Sequence, residues 1–321
     1  MRCFTMRHIT RMTLPFLLVA AMLFAPGASA TAQGEDPPSI RVGSLSFTES
    51  VILAEMISLL LEDAGYTVDR TFNLGVSAEA HEALVSGEID LYVEYTGGGL
   101  VAILGLPVPT AGADGSGTPT ASVADQTYNA VAAAYLKEFG LVWLDEFGFN
   151  NTYALAVTAE TAEMMNLRTI SDLSDHASGL SLGADLEFPD RQDGLLGLEQ
   201  VYGIEFGEVV PGDPGLMYEA IGNGEVDVIA AYTTDGRLPD LDLVLLEDDR
   251  SFFPPYRAAP VVDLDLLEAN PEIESIINQL AGTIDENEMA GLNYLVDVEG
   301  QDPSNVARNY LEDLGLIDPA G

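Results

Sequence analysis

Short apolar runs alternate with amphipathic stretches along this chain, the rhythm of an α/β protein. One such unit is written twice. Residues 82–97 (EALVSGEIDLYVEYTG) recur at 219–234 (EAIGNGEVDVIAAYTT), and without gaps seven of sixteen positions are identical. In each copy a helix closes at a glycine able to take the left-handed conformation. An apolar strand follows, predicted at 89–93 and 226–230, and a Tyr-Thr pair stands at its carboxyl end. Ligands of open α/β sheets bind outside the carboxyl ends of strands. Tyr95 and Tyr232 are therefore expected to face one cleft, one from each half of the protein.

The pattern around the two copies extends this picture. A first strand is predicted at 40–43. Ser46 and Glu49 have the spacing of a capping box, opening a helix whose Val51, Ile52, Met56, Leu59 and Leu60 share one face. Gly65 ends that helix and a second strand follows at 67–72. Beyond the first copy, residues 107–120 form a Pro/Gly/Ser/Thr-rich surface loop, and 122–139 an amphipathic helix. Strands at 141–144 and 152–158 flank a turn-rich crossing at 147–151. The second half repeats the rhythm, with strands at 180–184 and 208–210, a polar loop at 185–193 and a helix at 214–222. After a strand at 243–246, a loop at 247–256 stiffened by two prolines crosses back. A strand at 258–262 precedes helices that run to Leu316. These last helices lack the strands for a lobe of their own, so they are assigned to the first. The result is a two-lobed α/β protein with two chain crossings and a cleft between lobes, a preferred place for a small-ligand site.

A length of 321 residues suits about two domains. Charge narrows the partners: 12 Lys plus Arg stand against 52 Asp plus Glu, a formal charge of -40. No basic stripe exists to neutralise nucleic-acid phosphates or to bind an anionic membrane surface. Residues 1–30 read as a cleaved export signal. Arg2, Arg7 and Arg11 precede an apolar run at 14–24, and Ala28, Ser29 and Ala30 form a small-residue cleavage site. The run is too short for a stable transmembrane span. Cleavage removes Cys3, the only cysteine, which lies before the apolar run and so is not placed like a lipid-anchored residue. The mature chain, with a flexible leader at 31–38, would carry no thiol, disulfide or thiolate metal site. It is expected to be a soluble periplasmic monomer.

The residues offer little for catalysis. Beyond the signal only His81 and His176 remain, each in or at the end of a predicted helix, and the common nucleophile, zinc and phosphate-loop motifs are missing. The acidic run 285–288 lacks the spacing of a calcium loop and reads as a helix's first turn. Neither metal nor cofactor is expected. If the scaffold were an enzyme, Glu187 would be its best acid or base. The informative residues are the aromatics at strand ends and crossings: Tyr95, Tyr153, Tyr232 and Tyr256. Converging on one cleft they would form a cage whose ring faces attract quaternary ammonium. Arg191, in the polar loop, could clamp a carboxylate with its planar fork.

Seven motifs in order carry a resemblance. They are 43–49 (GSLSFTE), 87–97 (GEIDLYVEYTG), 151–157 (NTYALAV), 187–194 (EFPDRQDG), 216–220 (LMYEA), 231–237 (AYTTDGR) and 246–249 (LEDD) with 254–256 (PPY). Together they resemble the substrate-binding proteins of ABC importers for glycine betaine, proline betaine, choline and related osmoprotectants. The resemblance spans roughly 40–316. It implies a type II periplasmic-binding fold with lobes at 39–147 plus 250–321 and at 148–249. It also implies delivery of the ligand to a membrane permease. The family's cation cage falls on Tyr95, Tyr153, Tyr232 and Tyr256. Asn151 takes a position whose main chain meets the cation in relatives, and the carboxylate clamp falls on Arg191, supported by Glu187. Two positions depart from relatives that hold glycine betaine tightly. Leu45 stands where they often carry Lys, and Gly98 where they often carry Thr, so the ligand's carboxylate loses two partners. Each such contact to a desolvated charge is worth roughly 1.5–3 kcal/mol, which leaves two ligand expectations. One is weakly held betaine; the other is a cation with a different tail, such as choline.

Lys137 is the only lysine, and acids are spread along the whole chain. Screening by salt softens the resulting self-repulsion, so a salt-rich habitat is the hypothesis. Thermal unfolding of the mature protein should come at lower temperature in very dilute buffer than at high salt. An unfolding temperature indifferent to salt would remove the hypothesis.

Overall fold

The computed structural model describes residues 39–109 and 122–319. The expected signal and leader, and most of the loop at 107–120, lie outside the described residues. Among the described residues ten strands follow in chain order: β1 (Ile40–Gly43), β2 (Val68–Thr71), β3 (Leu91–Tyr95), β4 (Leu141–Trp143), β5 (Tyr153–Thr158), β6 (Ser181–Asp185), β7 (Glu208–Gly212), β8 (Val228–Tyr232), β9 (Leu243–Leu245) and β10 (Ala258–Asp263). They form two five-stranded sheets, ordered β2-β1-β3-β10-β4 and β7-β6-β8-β5-β9.

The two sheets share one plan. In the first, β1 runs parallel to β2 and β3, while β10 runs antiparallel to β3 and β4. In the second, β6 runs parallel to β7 and β8, while β5 runs antiparallel to β8 and β9. The chain leaves the first sheet after Trp143 and enters the second at Tyr153, then returns between Leu245 and Ala258. The two crossings lie side by side. Asn151 N donates to Tyr256 O at 3.1 Å, and Tyr256 N donates to Asn150 Oδ1 at 2.7 Å.

The duplicated unit forms as expected, but both strands start two residues late, at Leu91 and Val228 rather than at 89 and 226. The helices Ser77–Val85 and Pro214–Gly222 close through Gly87 and Gly224, with φ of 73° and 71°. The next residues then serve the turn. Asp90 accepts from Arg41 N of β1 at 2.7 Å, and Asp227 accepts from Ser181 N of β6 at 2.9 Å. The aspartate shared by the two copies thus stitches each turn to the neighbouring parallel strand. Tyr95 and Tyr232 become the last residues of β3 and β8.

The capping box expected at Ser46 and Glu49 does not form. The helix runs Thr48–Asp63 with Phe47 at its cap and no side-chain cap bond. Ser46 Oγ accepts instead from Gly75 N at 2.8 Å, and Glu49 is buried. Nor is one face alone covered, since Leu53, Ala54, Ile57 and Leu61 are buried as well. The sheet lies on one side of this helix, and the helices Glu272–Ile277, Glu286–Asp297 and Pro303–Asp313 pack on the other. A helix enclosed this way has no solvent stripe, so periodicity understates its burial. The acidic run at 285–288 does cap a helix: Asp285 accepts from Glu288 N, and Glu288 from Asp285 N. Among the described residues no helix is long and apolar enough to cross a membrane.

Candidate ligand-binding site

A cavity of about 290 Å³ opens where the carboxyl ends of β3, β6 and β8 meet the two crossings. Tyr95, Tyr153, Tyr232, Tyr256, Asn151, Arg191, Glu187, Gly98 and Leu45 all line it. The sheet register explains the convergence. Tyr153 at the start of β5 pairs directly with Tyr232 at the end of β8, and their rings lie 5.3 Å apart. Tyr95 at the end of β3 pairs with Ala258, which brings Tyr256 to the same rim. Tyr256 stands edge-on to Tyr153 at 5.6 Å. A Cβ at Gly97 would sit 2.5 Å from the Tyr256 ring, so this glycine lets the two elements close.

Each tyrosine hydroxyl donates to a buried carboxylate. Tyr95 reaches Glu49 at 2.7 Å, Tyr153 and Tyr232 share Asp185 Oδ2 at 2.7 and 2.8 Å, and Tyr256 reaches Asp193. Asp185 is itself pinned by the main-chain N–H groups of Glu187 and Phe188, both at 2.8 Å. These bonds fix the ring planes and put negative charge behind the rings, which adds to the attraction for a cation in front of them. Burial pushes all four phenols well above their ordinary pKa, and the neighbouring carboxylates push the same way, so the rings stay neutral donors. A fifth ring completes the wall. Phe47 stacks on Tyr232 at 6.0 Å and tilts against Tyr95 at 5.8 Å, bridging the two halves.

Glu49 joins both sides of the cleft. It accepts from Tyr95 and from Asn151 Nδ2 at 2.9 Å, from Thr234 Oγ1 at 2.6 Å, and from Asn293 Nδ2 at 3.0 Å. Thr234 follows β8, whereas Asn293 belongs to the helix Glu286–Asp297 on the first sheet's side. Burial raises the Glu49 pKa, and the hydrogen bonds from Thr234, Tyr95, Asn293 and Asn151 pull it back. A second cavity of about 350 Å³ shares Phe47, Asn151 and Tyr232 with the first. Its Arg237 is held by Asp235 at 2.6 Å and lies 4.2 Å over the Tyr218 ring.

Arg191 already has anionic partners. Its Nε and Nη2 bind Asp193 at 2.9 and 2.7 Å, and its Nη1 binds Glu187 Oε2 at 3.1 Å. Glu187, the residue set aside as a possible acid or base, is thereby engaged with the guanidinium. Burial raises its pKa while Arg191 lowers it. Leu45 is buried beside the cavity, its N–H donating to Ser50 Oγ at 2.9 Å. Gly98 has a local reason to be glycine: a Cβ there would lie 2.9 Å from Glu94 Oε1 and 3.2 Å from Ser77 Oγ. Six carboxylates, those of Glu49, Glu94, Asp185, Glu187, Asp193 and Asp213, thus line or back a cavity that holds one guanidinium. Its field favours cations.

Comparison with known proteins fits this geometry. The family described as the substrate binding domain of ABC-type glycine betaine transport systems matches residues 38–313. The chain belongs to that family. The carnitine transport binding protein of Listeria monocytogenes is 35% identical over 92% of this chain and 94% of its own. The glycine-betaine-binding protein of Pseudomonas aeruginosa is 35% identical over 97% of each chain. A solved glycine betaine/carnitine/choline ABC transporter structure superposes with a TM-score of 0.68 at 36% identity, covering 87% of this chain and all of that one. This is a family of transport binding proteins with a two-lobed, type II periplasmic-binding architecture.

Sequence reading missed Phe47, Glu49, Glu94, Asp185 and Asp193. Glu49 was hidden by the capping-box spacing. Asp185 and Asp193 were hidden at the two ends of a loop read as merely polar. Glu94 carried a usable signal, because it is an acid inside a strand whose other residues are all buried. Neither histidine lines the cavity. His81 packs edge-on against Tyr135 and Phe139, where burial lowers its pKa, and His176 ends a short helical turn.

Glu94 accepts from Tyr95 N at 2.7 Å, Tyr92 Oη at 3.1 Å and Ser77 Oγ at 3.2 Å. Burial nevertheless pushes its pKa from 4.5 up to about 7. A carboxyl raised on folding stabilises the fold most below the unfolded pKa, and that stability fades as pH rises through the folded one. Glu94→Gln should therefore gain on the unsubstituted protein between pH 4.5 and 7, by on the order of 3 kcal/mol in urea unfolding. A stability difference between the two proteins that is flat over this window would contradict the raised pKa.

Proposed function

We propose that this chain is an exported, periplasmic receptor that captures a quaternary-ammonium osmolyte, such as glycine betaine or choline, and passes it to the permease of an ABC importer. The observation that carries this reading is the set of four tyrosines around one cavity, each hydroxyl tied to a buried carboxylate. A methylated ammonium cannot donate hydrogen bonds, so it gains most from aromatic faces, at about 2 kcal/mol or more per desolvated contact. An ordinary amine would also be drawn in by the charge but would leave its N–H donors facing rings. The names of the relatives point to the same ligand class. Export follows from the signal at 1–30.

The two-lobe division at 39–147 plus 250–321 and 148–249 gives the receptor its motion. The hydrogen-bonded crossings at Asn150, Asn151 and Tyr256 would act as the hinge. Glu49, taking donors from both sides, would hold the closed form over a bound cation. One chain carries the whole cage, so a monomer suffices. Leu45 and Gly98 are apolar where relatives often place carboxylate partners, which argues for weak holding of a carboxylate tail.

Titration calorimetry of the mature protein with betaine, choline, carnitine, ectoine and proline, up to millimolar ligand, tests this. At least one quaternary amine should bind, and Tyr95→Ala or Tyr232→Ala should each weaken it by about tenfold or more. If no quaternary amine binds, or if both substitutions leave the affinity unchanged, the cage does not recognise the cation.

A further inference from the structure

The motif at 231–237 (AYTTDGR) gives the cage only Tyr232, and the residues after it turn away from that cavity. They lie against the helix Glu286–Asp297, which packs on the first sheet's side through the helix Thr48–Asp63. A Cβ on Gly236 would sit 2.5 Å from Tyr294 N and 2.6 Å from Tyr294 Cα, main-chain atoms that cannot swing aside. The local conformation does not ask for glycine, since its φ of -67° and ψ of -18° suit any L residue. Gly99 holds the matching place in the first copy of the duplicated unit. A Cβ there would meet Trp143 at 2.9 Å and Tyr135 at 3.1 Å, both on its own sheet's side. Each copy thus has a tightly packed glycine four residues after its tyrosine, and only the second copy's meets the other half of the protein.

Polar contacts surround this approach. Thr234 Oγ1 donates to Glu49 Oε2 at 2.6 Å, and Asn293 Nδ2 donates both to Glu49 Oε2 at 3.0 Å and to Thr234 O at 2.9 Å. Arg237, held by Asp235, reaches Asp297 Oδ2 at 3.7 Å, while Thr48 donates to Asp297 Oδ1. None of Thr234, Gly236, Arg237, Asn293 and Asp297 lines the tyrosine cavity.

We infer that this contact is a catch between the lobes: Gly236 seats on Tyr294 as the lobes close and sets how near Tyr232 on one side comes to Tyr95 on the other. The inference rests on the two-lobed receptor reading and adds what fixes its closed state. Gly236 and Thr234 are then positioning residues that touch no ligand. Asn293 ties the landing helix to Glu49, the carboxylate that orients Tyr95, and Thr234 stands two residues beyond Tyr232. Ordinary contact to a Cβ begins at 3.4 Å, so a methyl group at position 236 forces the two main chains apart. The ring walls then stand too far apart to hold a cation against both, because the attraction needs the ring centre within about 6 Å.

The test is Gly236→Ala in the full mature protein. It uses calorimetry of choline and of glycine betaine, thermal unfolding without ligand, and small-angle scattering at saturating ligand. Both affinities should fall at least about tenfold and by a similar factor, because the altered contact touches neither ligand. The ligand-free unfolding temperature should stay level or rise, since alanine in this conformation restricts the unfolded chain. The radius of gyration with ligand bound should increase. Gly291→Ala, on the same helix with nothing within 4 Å, is the matched control and should keep both affinities. Thr234→Val removes one cross-lobe donor to Glu49 at nearly constant shape and should also weaken both ligands by about tenfold. It decides the matter if Gly236→Ala does not fold. Unchanged affinity in Gly236→Ala, or in Thr234→Val where that variant decides, overturns the catch and leaves the cage standing. So does a loss confined to one ligand, a matching fall in ligand-free stability, or an equal loss in the control. If the unsubstituted protein binds neither ligand, the receptor reading falls and the catch falls with it.

Discussion

The bond from a tyrosine hydroxyl to a buried carboxylate, repeated at four tyrosines, is the constraint on which the site depends. Buried acids are costly unless their lone pairs are satisfied. Here the hydroxyls satisfy them, and in return the acids lock the ring planes. Asp185 holds two rings at once, and Glu49 and Asp193 hold one each. The result is an electron-rich, nearly rigid enclosure whose charge points toward its middle. Such preorganisation spares the ligand the cost of ordering the side chains when it binds.

The duplicated helix–strand unit makes this enclosure possible. Each copy delivers a tyrosine to the last position of a central strand, and the same aspartate in each copy pins the preceding turn to the adjacent parallel strand. The antiparallel strand beside each one, β10 in the first sheet and β5 in the second, brings another tyrosine to the same rim. Two sheets of one plan, joined by two hydrogen-bonded crossings, thus supply the four rings. Charge symmetry is then broken by what differs between the copies. Glu94 in β3 corresponds to Ala231 in β8, so one side of the cavity carries an acid that the other lacks.

Much of this was legible in the chain. Periodicity and glycine punctuation gave the order of elements, because those signals are local. The tyrosines stood out because strand ends and crossings do not demand aromatics. The carboxylates did not stand out, because acids are abundant everywhere in this chain, and the burial that sets apart Glu49, Glu94, Asp185 and Asp193 appears only in the fold. Glu49 shows the difficulty plainly: its spacing from Ser46 satisfied a local rule, and a long-range network overrode it. Phe47 was equally hidden, since its partners Tyr95 and Tyr232 come from two different sheets. The engagement of Arg191 by Asp193 and Glu187 likewise follows from a loop shape that composition does not encode.

The central claim is that the enclosure recognises positive charge and not merely a bulky methylated end. Comparing choline with 3,3-dimethylbutan-1-ol, its uncharged carbon counterpart of nearly the same shape, isolates that property. Competition calorimetry on the mature protein should find the neutral alcohol weaker by about thirtyfold or more, the value of roughly 2 kcal/mol for a single desolvated cation–ring contact. Comparable affinity for the two would mean that the cavity is filled by shape and apolar contact, and that the carboxylate-backed rings do not act on charge.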